Sequence, residues 1–121
     1  MWIAALALVG GLLLLVAGNT ALRYLGALAP RESPETAADL LAPHLHARWP
    51  EGAGPHPTAL LLSGCDGPAD NLDRLADRLA GIGWGSVIVD SHGARGYTAR
   101  PVWTLICAGQ LFTGTERAGD L

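Results

Sequence analysis

The chain has 121 residues, enough for one small domain; half of them are hydrophobic, and the formal net charge is −3. Its eight basic residues are all Arg and form no stripe, which excludes nucleic acid as a partner. The 16 Gly and 8 Pro are scattered, so they mark loops between ordered elements and not a disordered low-complexity chain.

Trp2 to Gly18 is almost wholly apolar and would rise about 26 Å as a helix, slightly less than the hydrocarbon core of a bilayer. Apolar character resumes after Asn19 and Thr20, broken only by Arg23. An Arg at a helix end snorkels to the headgroups, so a span ending near Ala21 to Tyr24 is expected, with Trp2 and Tyr24 at the two interfaces. Residues 1–24 are therefore read as a single-pass membrane anchor, with residues 2–24 in contact with lipid. The alternative is a signal peptide cleaved after Val16-Ala17-Gly18 and an exported domain, but no Lys or Arg precedes the apolar run. Arg23 and Arg31 follow the span, which favours a cytoplasmic carboxyl side.

Residues 25–44 read as a linker with a short helix. Ala29 to Pro34 is polar and bounded by Pro; Ser33 caps a helix near 35–41 that has Pro34 at its first position. Leu45, Ala47 and Trp49 alternate with His46 and Arg48, as in a short half-buried strand. Pro50 to Pro57 is a turn-rich connection. Thr58 to Leu62 is a continuous apolar run, expected as a strand buried on both faces. Asp70 is the expected N-cap of a helix over Asn71 to Leu79, which Gly81 and Gly83 end. Gly85 to Val89 is the second buried strand. Strand, helix and strand form a βαβ unit of a mostly parallel sheet. Ser91 to Gln110 is expected to be a long loop, and Thr113-x-x-Glu116 a capping box.

The glycine loop after the first buried strand is the strongest candidate for chemistry, because backbone N–H groups there face an anion or a developing oxyanion. The chain has no Lys, so a phosphate-binding P-loop is excluded. A dinucleotide fingerprint needs Gly at three offsets, where this loop has Gly64, Asp66 and Ala69; Asp90 would suit a ribose contact and keeps that reading as a minor alternative. His44, His46 and His56 lack metal-ligand spacing. Cys65 and Cys107 match neither a zinc knuckle nor a redox pair, and two half-buried thiols are expected ahead of a disulfide. No metal or cofactor is implied.

Ser63-Gly64-Cys65-Asp66-Gly67 after an apolar strand, the Gly83-Trp84 turn, Asp90-Ser91 at the next strand end, and Ala94-Arg95-Gly96 follow in an order similar to the dienelactone hydrolase family. Ile106-Cys107-Ala108-Gly109 and Glu116-Arg117-Ala118-Gly119-Asp120 extend the resemblance, which covers roughly residues 45–121. It implies an incomplete α/β-hydrolase-like domain over 45–121, with Ser63 to Gly67 as an oxyanion loop in which the Cys65 backbone N–H is one donor. It also implies a small ester or lactone as substrate of the complete domain. Read from the residues themselves, Asp90, Ser91, His92 and Arg95 form a candidate substrate-side loop in which His92 would hydrogen-bond a substrate, with a satisfied loop histidine as the weightier alternative. Ser63 stands where the family has His. No G-x-S-x-G or G-x-C-x-G frame occurs in the chain, and the family's nucleophile, Asp and His would come later than Leu121. The chain is thus expected to be inactive alone. The alternative class is a non-catalytic membrane-anchored interaction protein. For Arg95 and Arg100 a structural role stands beside carboxylate binding, and for Asp90 a loop-capping role.

Overall fold

The computed structural model describes residues 2–29 and 32–121. Arg31, on which half of the orientation argument rests, lies outside the described residues. The first helix, α1, runs unbroken from Trp2 to Tyr24 with no buried residue. It is long and apolar enough to cross a membrane or to act as a signal sequence.

Helix α2, Pro34–Leu41, begins as its sequence dictates: Ser33 Oγ accepts from the Thr36 N–H, and Pro34 holds the first position. It is more than a passenger in a linker, because Ala37 and Leu41 are buried against the rest of the domain. A single 3₁₀ turn, Ala42–His44, leads into strand β1, Leu45–Arg48. Strand β2 is Thr58–Leu62, helix α3 is Asp70–Gly81 and strand β3 is Gly85–Val89. Among the described residues these strands form one three-stranded sheet in the order β1-β3-β2. β2 runs parallel to β3, and β1 runs antiparallel to it. The sheet is therefore mixed, where a mostly parallel one was expected.

Only β3 is the buried strand anticipated. It sits in the centre, and every residue but Val87 is buried. β2 is an edge strand with Leu61 alone buried, and β1 is exposed along its whole length. The apolar run of β2 does not decide burial, because burial on both faces needs a second covering layer. Here α3 supplies one layer: Leu61, Ile88 and Ala76 form the core, with Ala59, Leu72 and Leu79 against it. The register Leu61↔Ile88 and Leu60↔Val87 puts Leu60 and Leu62 on the opposite face, where Leu60 is 60% exposed.

α3 starts one residue earlier than expected, with Ala69 at the N-cap and Asp70 in the first turn, where its charge meets the positive end of the helix. It ends in a Schellman turn. The Trp84 N–H reaches the Leu79 carbonyl and the Gly83 N–H the Ala80 carbonyl, with Gly83 at φ +84°, a conformation costly for any side chain with a Cβ.

The stretch Ser91 to Gln110, expected as a loop, contains two helices, α4 (Ser91–Ala94) and α5 (Arg100–Cys107). Pro101 lies in the first turn of α5, where its missing N–H costs nothing, so it opens a helix instead of forbidding one. Helix α6, Gly114–Arg117, carries the anticipated capping box: Glu116 Oε2 accepts from the Thr113 N–H at 2.7 Å. A 3₁₀ turn, Ala118–Asp120, follows it.

The carboxyl end of α1 is bound to the domain. Arg23 Nη1 lies 2.6 Å from Glu116 Oε1, with both side chains largely buried, so it does not snorkel to headgroups. Asn19 donates to the carbonyl and side-chain oxygen of Gln110, whose amide donates to Thr20. The polar residues that interrupt the apolar run are the ones that hold the domain.

Candidate functional site

The expected site loops lie together at the carboxyl ends of β2 and β3, where open α/β sheets bind ligands. Ser63 to Gly67 forms a tight turn closed by a bridge between Gly64 and Gly67. Gly67 has φ +78°, and a Cβ there would stand 3.7 Å from the ring of His92. Ser63 is buried, and its Oγ lies 3.4 Å from His92 Nδ1. The carbonyls of Ser63 and Gly64 both accept from the Arg117 guanidinium, the latter at 3.4 Å.

Cys65 is not a thiol. It forms a disulfide with Cys107 at the end of α5, with Cα atoms 4.9 Å apart. Spacing along the chain carries no trace of this pairing, because the two residues meet only when α5 folds back on the glycine loop. Cys65 belongs to a pinned loop, and Asp66 remains exposed beside it.

On the second loop, Asp90 caps α4 through its Oδ1, which accepts from the Gly93 N–H at 2.8 Å. Ser91 is buried at the start of α4, and its carbonyl accepts from Arg95. Arg95 is not presented to a ligand. It holds Asp120 in a bidentate pair at 2.7 and 3.1 Å, and its guanidinium lies 4.7 Å above the Phe112 ring. Arg100 is exposed at the start of α5.

His92 is the centre of the cluster. It is 2% exposed, its ring meets Phe112 edge-on at 5.6 Å, and its Nε2 has no hydrogen-bond partner among the described residues. Burial holds its pKa below the ordinary 6.5 and the Arg117 guanidinium adds to this, against opposing pulls from the Cys65 backbone, Asp90 and Asp66. Both effects favour the neutral imidazole. A neutral imidazole beside a serine hydroxyl is the raw material of a nucleophilic pair, but here both members are enclosed. A hollow of about 190 Å³ lies beside His92, lined by Asp66, Asp90, Tyr97 and Trp103 among others.

Phe112, Arg117 and Asp120 were not singled out as site residues from the sequence. Phe112 is buried and holds φ +47°, a backbone conformation that is rare for an aromatic residue. Its ring receives His92, Tyr97 and Arg95. The stretch Glu116 to Asp120 was visible as part of a resemblance, but its partners lie far back in the chain.

No family model, curated protein or solved structure matches this chain.

Proposed function

We propose that the chain is a membrane-anchored amino-terminal portion of an ester or lactone hydrolase of the dienelactone hydrolase kind. In this reading α1 spans the bilayer, Ser63 to Gly67 forms one side of the oxyanion site, and Asp90 to Arg95 backs the substrate-side wall. The nucleophile, acid and base lie outside these residues. The observation that carries the proposal is the juxtaposition of the two glycine-containing loops at the carboxyl ends of adjacent parallel strands, with residues of both loops, His92 among them, lining one hollow. Ser63 in place of the family's His retains a buried polar group at the loop entrance, and Arg117 ties down its carbonyl.

Full chain in detergent, titrated with the carboxylate product of an ester substrate, tests this. Amide resonances of residues 64–67 and the His92 ring should shift together, while p-nitrophenyl esters and dienelactone are not turned over. Absence of any shift at millimolar ligand overturns the proposal. Turnover abolished by Ser63→Ala also overturns it, by making Ser63 and His92 a catalytic pair.

A non-catalytic interaction protein is the second reading, favoured by one specific observation. The polar groups of the expected site are engaged internally by Asp120, Arg117 and the disulfide, while Leu45, Leu60 and Leu62 are left exposed on the sheet. Binding of a protein partner that survives Gly64→Ala but not Leu60→Lys distinguishes it.

A further inference from the structure

The disulfide between Cys65 and Cys107 is not sealed in the core. Cys65 is half-buried and Cys107 is exposed, and no free cysteine accompanies them among the described residues. A bond so exposed would be open to the glutathione and thioredoxin systems of a cytosol, where structural disulfides are rare; such bonds form and persist in exported compartments. The same chain carries an apolar helix whose carboxyl end contacts the domain through Arg23–Glu116 and Asn19–Gln110. We infer that the globular part of the chain resides on the oxidising side of the membrane, with the amino terminus of α1 on the cytoplasmic side.

The Arg residues after the span point the other way, but the length of the segment that follows removes their weight. The positive-inside rule applies to short loops, up to about 60 residues, whereas longer segments translocate largely regardless of charge. The segment after Tyr24 continues to Leu121, beyond that limit.

Formation of the bond is a two-electron oxidation by a disulfide donor of the thiol-exchange class. One Cys thiolate attacks the donor's S–S bond to give a mixed disulfide. The second thiolate then displaces the donor sulfur, and the donor leaves as a dithiol, having taken both electrons.

The orientation rests on the anchor reading; residence on the oxidising side does not. The full wild-type chain is expressed in cells with a thiol-oxidising exported compartment, and thiols are trapped by acid quench. Maleimide-polymer added under denaturing conditions should shift the chain by two adducts after reduction and by none before. Protease added outside spheroplasts should digest the domain, and carbonate washing should leave the chain in the membrane. Free thiols in quenched cells, or a domain that outside protease does not reach, overturn the inference while leaving the anchor intact if carbonate resistance persists. An oxidised, soluble chain beginning near Asn19 sinks the anchor and the orientation but keeps the domain on the oxidising side. No refolding of a variant is needed for any of these readouts.

Discussion

His92 shows how burial alone changes what a residue does. In the unfolded chain its imidazole titrates near 6.5; in the folded chain burial and Arg117 hold it lower. Between these two values the unfolded chain binds more protons, so stability rises with pH there. The contribution is fully present above about pH 6.5 and is lost as pH falls toward the folded value. Thermal unfolding in mild detergent should show a melting temperature that declines below that pH, and His92→Gln should remove this part of the decline. A ring titration of His92 by NMR with a midpoint at or above 6.5 would contradict the assignment. Ser86 offers a second check. It is 0% exposed on β3, and its Oγ has no partner among the described residues. Removing a buried orphan hydroxyl recovers its desolvation cost, so Ser86→Ala should stabilise the fold by about 1 kcal/mol in denaturant titration.

At the scale of elements, α6 is held by one residue that serves two ends. Glu116 accepts from the Thr113 N–H within its own helix and pairs with Arg23 of α1. Glu116→Ala removes a cap and strands a largely buried guanidinium, an expected loss of about 3–5 kcal/mol. Arg23→Ala leaves the cap in place and should cost less, and a double-mutant cycle should return strong coupling. Equal, additive losses would show that the two contacts are independent. The disulfide joins the glycine loop to α5 across 42 residues. By the chain-entropy account its loss through Cys107→Ser costs about 4 kcal/mol, to be measured as the shift in unfolding midpoint between oxidised and variant chains.

At the scale of the whole molecule, one sheet has a helix on one face and an incomplete cover on the other. The core of Leu61, Ala76 and Ile88 is small, and Leu60 and Leu62 remain in solvent on an edge strand. Open edges and apolar faces promote pairing with other chains. Leu60→Lys should lower concentration-dependent association in sedimentation severalfold without lowering the melting temperature, because Leu60 contributes nothing to the core. A matching loss of stability would place Leu60 inside an interface needed for folding.

The amino-acid sequence by itself determined what depends on near neighbours. The apolar length of α1, the Ser33 cap of α2, the helical spacing and Gly83 stop of α3, the alternation of strand and helix around it, and the Thr113–Glu116 box are all written within a few residues of where they act. The position of the two site loops follows from them, since each loop simply leaves the end of a strand. Tertiary structure alone decided the rest. Ser63 meets His92 across 29 residues, Cys65 meets Cys107 across 42, and Arg23 meets Glu116 across 93. Arg95, legible as a cation, becomes structural only because Asp120 and Phe112 close on it. The same holds for burial: Thr58 to Leu62 and Gly85 to Val89 read alike as apolar runs, but β3 is central and β2 lies at an edge. Periodicity records which side chains avoid water in an element, whereas the layer that excludes the water comes from residues elsewhere in the chain.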